Sequence, residues 1–222
     1  MEKNKLEGVK PFGGQFWFRS CFYHELMYAA GAFGIDGREL LLEDFIYYEK
    51  NFRINQNILP MSEMYKSMGI SLRHINVPNF ETVAEHIDKG FPLFIGVDTF
   101  YYKARTDCYR KKHMPHFVLI YGYDRIKKNF YIIDHEYNNS YLFKEKEWEA
   151  ADILYASDMY AKGICLYKAT CIVMRHRKIE GKRIWDKIVG KPSLIDESIK
   201  NFEADLQIIK SVLSDERESL SE

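Results

Sequence analysis

The stretch His116–Asp134, HFVLIYGYDRIKKNFYIID, constrains this chain more than any other. Its two runs, His116–Tyr123 and Asn129–Asp134, are nearly all apolar or aromatic, and the polar turn DRIKK joins them, which reads as a β-hairpin. A hairpin sets the start of one strand beside the end of the next. His116 and Asp134 are therefore expected to be neighbours despite their separation in sequence.

Other elements fall in place around this hairpin. Pro92–Asp98, PLFIGVD, reads as a buried strand and Ile70–Val77 as a short one, with Tyr141–Phe143 and Ile164–Val173 completing a sheet. After the Gly-containing loop 11–20, CFYHELMYAAGAF carries apolar residues at helical spacing, with Ser20 as its cap. Further helices are expected over Glu39–Phe52, over Met61–Met68 before Gly69, over Phe80–Lys89 before Gly90, and near Lys146–Tyr155. Helices first and mostly sequential strands afterwards predict an α+β fold. The charged stretch 175–192 holds Gly and Pro and reads as a linker. Beyond it Leu194, Ile195, Ile199, Phe202, Leu206, Ile209 and Val212 form one stripe of an amphipathic helix. That divides the chain into a domain over 1–175 and a segment over 176–222, whose helix packs on the domain or on a second copy in a homodimer.

With 222 residues, 46% of them apolar, the chain is able to build a substantial core. Its 32 basic and 32 acidic residues balance, which removes the electrostatic footprint of a nucleic-acid binder. No apolar run opens the chain and no stretch approaches a membrane span, so a cytoplasmic protein with reduced cysteines is expected. The four cysteines form no CxxC pair. Cys165 and Cys171 lie an even number of residues apart in an apolar run, as small hydrophobes on one side of a strand. Cys21 and Cys108 are left for chemistry.

Cys21 follows a Gly-rich loop and opens the first strong helix, where the positive end of the macrodipole favours thiolate. A neighbouring imidazole converts most of such a thiol to its reactive form. If His116 is that imidazole, Asp134 accepts its second N–H, fixes the tautomer and stabilises the charged form. Gln15, six residues before Cys21, is placed to supply an oxyanion donor together with the Cys21 backbone N–H. A buried inert cysteine, a strand-end histidine bonded to a loop and a solvated glutamine are the bland alternatives for these residues taken singly.

Gln15, Cys21 and the HFVLIYGYD…YIID hairpin together resemble the papain-like cysteine enzymes. The resemblance covers roughly residues 11–174. It implies a papain-like fold with N-terminal helices packed on an antiparallel sheet, and a catalytic set of Cys21, His116, Asp134 and Gln15. Two features depart from true papains: RSCFYH lacks the local protease signature, and Asp134 stands where papains have Asn. Both favour the non-protease branches. SCFYHELMYAAG, FPLFIGVDTFYY and HMPHFVLIYGYD are similar to the N-terminal domain of the butirosin-biosynthesis acyltransferases, and more closely to the transglutaminase-like amide synthases of closthioamide assembly.

What this resemblance implies is an acyltransferase. Cys21 attacks the thioester on the phosphopantetheine arm of an acyl or peptidyl carrier protein. His116 then takes a proton from a small amine acceptor, which attacks to give an amide. No bound cofactor and no metal are required. Asp98 is a candidate for the acceptor's ammonium group, and Tyr101 and Trp17 for the walls of an aromatic pocket that excludes water. The basic run Lys103, Arg105, Arg110, Lys111 and Lys112 is a candidate contact for an acidic carrier. Hydrolysis by a cysteine peptidase or amidase with the same triad, and a non-catalytic binding domain, are the rival classes. Cys108, His113 and His116, with His135 nearby, do not have a structural-zinc spacing.

Overall fold

A computed structural model of the chain describes residues 1–12, 21–37, 46–49, 53–56, 68–76, 79–136, 142–163, 171–178 and 199–210. The chain divides into two compact units, Met1–Glu39 with Ile70–Arg177, and Leu40–Gly69 with Lys178–Glu222.

The first unit is built on an antiparallel sheet of seven strands: β1 (Lys3–Lys5), β4 (Ile70–Ile75), β5 (Leu93–Asp98), β6 (Pro115–Asp124), β7 (Asn129–His135), β8 (Phe143–Glu149) and β9 (Cys171–His176). The order is β4-β9-β5-β6-β7-β8, and β1 pairs with the far half of β6, Lys3 opposite Asp124. Its centre is the hairpin expected from sequence. Leu119 pairs with Ile133 and Ile120 with Ile132, and a bulge then shifts the register so that Gly122 faces Tyr131.

Side chains alternate across a strand, so each face of the sheet takes every second residue. One face carries Ile95, Val97, Val118, Ile120, Phe130 and Ile132, all fully buried. Against it pack Val83, Ala84 and Ile87 of helix α2 (Phe80–Asp88) and Ile153 and Ala156 of helix α3 (Ala150–Gly163). Burial of each of the larger side chains contributes about 1.5–3 kcal/mol. The opposite face receives α1 (Cys21–Ala29), whose Phe22 ring lies 5.1 Å from both Phe94 and Phe117. Phe94 and Phe117 are out of phase with Ile95 and Val118, which places α1 across the sheet from α2 and α3.

Local signals set several boundaries. The Asn79 side chain accepts the Thr82 N–H at 2.8 Å and caps α2; Gly90, at φ 81°, lets the chain turn away after it. A 3₁₀ turn over Ala30–Phe33 continues α1. There Gly31 and Gly8 touch backbone to backbone: a Cβ on Gly31 would lie 2.0 Å from the Gly8 carbonyl oxygen. Only glycines allow this approach.

Two sequence expectations are corrected. Within Glu39–Phe52, read as a helix, Ile46–Glu49 is a strand (β2) paired with β3 (Arg53–Gln56), Ile46 opposite Gln56. The β-branched and aromatic IYY run favours extended backbone once a partner strand is beside it, and that partner is not visible in the local pattern. Lys146–Glu149, read as the start of a helix, instead continues β8, and α3 begins at Ala150. KEKEWE holds good helix formers, but pairing with β7 along its whole length overrides their propensity. The expected helix over Met61–Met68 apart from its last residue, the Ser20 cap, Cys165 and residues 179–198 lie outside the described residues. In the second unit residues 199–210 are helical, as the apolar stripe predicts, with Ile199, Phe202 and Ile209 exposed. Among the described residues no helix is long and apolar enough to cross a membrane.

Candidate active site

Cys21 is the first residue of α1, on one side of the sheet. His116 pairs with Val97 in the register and so belongs to the opposite, α2/α3 side. They meet at the end of the sheet. The β6–β7 pairs begin only at Leu119–Ile133, so the start of β6 runs on beyond them. There the Cys21 thiol hydrogen-bonds the His116 ring and the Phe117 backbone.

The other side of the imidazole is held by a sealed carboxylate. His116 Nε2 lies 2.9 Å from Asp134 Oδ1, so the remaining ring nitrogen is the one that faces Cys21. Asp134 is 0% exposed and His116 only 3%. Asp134 also accepts the His135 backbone N–H at 2.7 Å and the Tyr102 hydroxyl at 3.0 Å. The Lys146 ammonium stands 4.0 Å from it. All of these donors leave the carboxylate no freedom to rotate, which fixes the imidazole plane.

These contacts decide the charges. Burial alone would raise the Cys21 thiol, but the hydrogen bonds from His116 and His135, the charge on His116 and the Phe117 backbone lower it to about 5. Burial would lower His116, yet the charge and hydrogen bond of Asp134, with Cys21, raise it to about 9. Against its own burial, the charge and hydrogen bond of His116 hold Asp134 well below the usual carboxylate range. Between about pH 5 and about pH 9 the pair is thus thiolate and imidazolium. The sign for activity follows. Below about 5 the thiol is protonated; above about 9 the imidazolium gives up its proton. Turnover is expected to be bell-shaped with limbs near these values. Alkylation of Cys21 by iodoacetamide, which needs only the thiolate, is expected to rise at the acid limb and not to fall at the alkaline one. Parallel pH profiles of the two rates check this.

Three further residues of the cluster were not assigned catalytic roles from sequence. His135 hydrogen-bonds Cys21, and its ring lies 4.5 Å from Phe143 and 5.3 Å from His116. The signal was present in the YIIDH run: neighbours on a strand point to opposite faces. Asp134 therefore reaches His116 on one side while His135 reaches Cys21 on the other. Tyr102, in the FYY run whose aromatics are expected to wall a pocket, is instead fully buried on Asp134. Glu25, one turn after Cys21, is also fully buried. Its burial, reinforced by the negative charges of Cys21 and Asp134, raises it well above the usual range; the Leu119 backbone offsets this only in part. Both effects favour the neutral form of Glu25 beside the thiol and the Asp134 carboxylate.

Other expected residues are placed differently. Asp98 ends β5, buried, with its carboxylate engaged by His113 Nδ1 at 2.6 Å and the Phe100 N–H at 3.0 Å. Tyr101 is half-buried, edge-on to Tyr155 at 5.7 Å. Gln15 and Trp17 lie outside the described residues. Much of the basic run is engaged locally: Arg105 forms a two-pronged pair with Asp107, Lys103 lies 3.5 Å from Asp152, and Arg110 lies over Phe100 and Tyr109. Among the described residues Cys108 and His113 join no metal-ligand cluster. Among the described residues the donors close enough to share an ion are His116, Asp134 and His135. A cavity of about 350 Å³ lined by Lys103, Asn129, Glu147, Trp148, Glu149 and Asp152 shares no residue with the Cys21 cluster.

Comparison with known proteins adds a family. The profile of the family described as "Peptidase_C39 like family" matches residues 44–154, which include His116 and Asp134 but not Cys21. Among solved structures, a protein described as a C39-like peptidase from Bacillus anthracis is 17% identical, with a TM-score of 0.44 over 81% of this chain and 100% of that one. No curated protein matches the chain.

Proposed function

Because the chain belongs to the Peptidase_C39-like family, of papain-like cysteine-peptidase type, we propose that it is a cysteine enzyme that carries an acyl group on Cys21 and transfers it to an amine. The observation that carries the acyl-enzyme reading is the thiol of Cys21 on an imidazole whose far nitrogen is held by a sealed carboxylate. Such a thiolate attacks an acyl carbonyl, and the imidazolium beside it protonates the departing thiol or amine.

The donor we propose is a thioester on the phosphopantetheine arm of a carrier protein. Cys21 Sγ bonds to the carbonyl carbon, the carbon–sulfur bond to the arm breaks, and the proton of His116 goes to the leaving thiol. Exchange of one thioester for another is nearly neutral in energy, and amide formation then draws the reaction forward. Departure of RSCFYH from the protease pattern, and the aromatic residues Phe22, Phe117 and Phe143 near the thiol, support transfer over hydrolysis, because an apolar surround disfavours water.

Hydrolysis of an amide or thioester is the second reading, favoured by the peptidase character of the family. The two separate on products. Incubated with an acetyl-pantetheine thioester and n-butylamine together, the enzyme is expected to give N-butylacetamide as its main product. Free acetate as the main product at saturating amine would assign it to the hydrolases.

A further inference from the structure

The loop between β5 and β6 carries five cations, Lys103, Arg105, Arg110, Lys111 and Lys112, and the structure divides them into two groups. Lys103 and Arg105 face carboxylates, of Asp152 at 3.5 Å and of Asp107 at 2.9 Å. Arg110, Lys111 and Lys112 are exposed, and among the described residues no carboxylate pairs with any of them. The Arg110 guanidinium lies against the rings of Phe100 and Tyr109, and the Lys111 ammonium donates one bond to the Thr106 carbonyl at 3.0 Å. These three consecutive charges thus face solvent unneutralised by any described side chain, in a chain whose formal net charge is zero.

Their backbone is fixed before any ligand arrives. Arg110 has φ 59°, a left-handed conformation uncommon outside glycine, and its N–H donates to the Phe100 carbonyl at 2.9 Å. The Lys111 and Lys112 N–H groups both donate to the carbonyl of buried Cys108, at 2.8 and 2.9 Å. The Lys112 carbonyl accepts the Thr99 hydroxyl at 3.1 Å. The loop then runs directly into Pro115 and His116 of β6.

We infer that Arg110, Lys111 and Lys112 form the binding site for the phosphate on the acyl donor's pantetheine arm. This rests on the proposal that the donor is a pantetheine thioester. Lys112 precedes His116 by four residues, so their Cα atoms lie no more than about 14 Å apart, and His116 hydrogen-bonds the Cys21 thiol. A stretched pantetheine arm, from its sulfur to its phosphate, is of that order in length. Phosphate oxygens take charge-assisted hydrogen bonds from the guanidinium fork and from ammonium groups. No bond is made or broken at the patch: it contributes binding energy remote from the reacting carbonyl, which speeds acylation of Cys21 by donors that carry the phosphate.

The test compares two donors on one thiol, S-acetyl-4′-phosphopantetheine and S-acetyl-pantetheine, by the second-order rate of Cys21 acetylation read by intact mass. At low salt the phosphorylated donor is expected to react about tenfold faster, the effect of a few solvent-exposed charge pairs. Since both donors meet the same catalytic cluster, their ratio is unaffected by damage to that cluster. In the triple variant Arg110→Gln, Lys111→Gln, Lys112→Gln the ratio should fall to about one. If that variant fails to fold, the unmutated enzyme still decides: its ratio should collapse toward one at about 0.5 M sodium chloride. Equal rates in the unmutated enzyme, a ratio kept in the folded triple variant, or a ratio indifferent to salt would overturn the inference. An enzyme acetylated by neither thioester loses its proposed donor, and the patch is then judged by binding alone in Cys21→Ala. There 4′-phosphopantetheine should bind about tenfold more tightly than pantetheine and slow acetylation of Lys111 and Lys112 by N-hydroxysuccinimidyl acetate, located by peptide mass. Equal binding of the two, or no protection of these lysines, would remove the phosphate site as well.

Discussion

Replacing Cys21 with alanine is expected to lower turnover by at least about 10⁴-fold and to abolish the acyl adduct seen by intact mass. The loss is large because nothing else in the cluster can carry the acyl group. His116 and His135 both direct their hydrogen bonds at this one sulfur, and without it they hold only each other's surroundings in place. Serine at position 21 is not a rescue. Its hydroxyl is far less acidic than a thiol, so the field that lowers Cys21 to about 5 is not enough to ionise it. The fold should survive both changes, since Asp134 still pairs with His116 and Phe22 still packs on Phe94 and Phe117. Turnover in Cys21→Ala above one hundredth of the parent value, with product of the same identity, would remove the nucleophile from the mechanism.

The second large effect lies at Asp134, where activity and stability fall together. Alanine there leaves the His116 ring, the Tyr102 hydroxyl and the His135 N–H without their shared acceptor in a fully sealed space. Breaking a buried ion pair by removing one partner costs about 3–5 kcal/mol, so the urea midpoint of Asp134→Ala should drop clearly at unchanged slope. Turnover should drop by about 10⁴-fold, because the imidazole loses both its orientation and the charge that raises it. Asp134→Asn separates the two contributions. Its amide oxygen still accepts from His116 and the His135 N–H, and its NH₂ meets a Tyr102 hydroxyl that is free to turn and accept. Stability should be largely kept while the alkaline limb of the turnover profile moves down from about 9. An unchanged alkaline limb in Asp134→Asn would show that the carboxylate charge does not set the protonation of His116.

The same contacts explain which rivals remain open for experiment. The thiolate, the imidazolium and the sealed carboxylate serve hydrolysis as well as transfer, and the choice between water and an amine is made where the acceptor approaches. Discharge of the acyl-enzyme is therefore the informative half-reaction. Asp98 is less available to an ammonium group than its place at the end of β5 suggested. His113 already occupies its carboxylate, so an acceptor amine binding there would have to displace that ring.

Legibility from sequence followed the range of the forces involved. The hairpin over His116–Asp134 was readable because period and turn are local, and its register alone puts the histidine and the carboxylate together. The start of α1 at Cys21 and the ends of α2 were readable for the same reason: caps, glycines and helical spacing act over a few residues. Where pairing came from distant strands, local reading failed. Ile46–Glu49 and Lys146–Glu149 both carry residues compatible with a helix, and both became strands because a partner strand supplied hydrogen bonds along their length. His135 was visible in the sequence, but its place beside Cys21 was not, since that depends on which face of β7 looks toward α1.

What the amino-acid sequence determined by itself was a thiol at a helix start and a histidine–carboxylate pair on a hairpin, because each is set by spacing along a continuous segment. Only the tertiary structure decided that these two segments meet at the end of one sheet, that Tyr102 and Lys146 hold the carboxylate, and that a second imidazole reaches the sulfur from the opposite face. Those outcomes depend on how helices pack across the sheet, a balance of burial and pairing among residues far apart in the chain that no local pattern encodes.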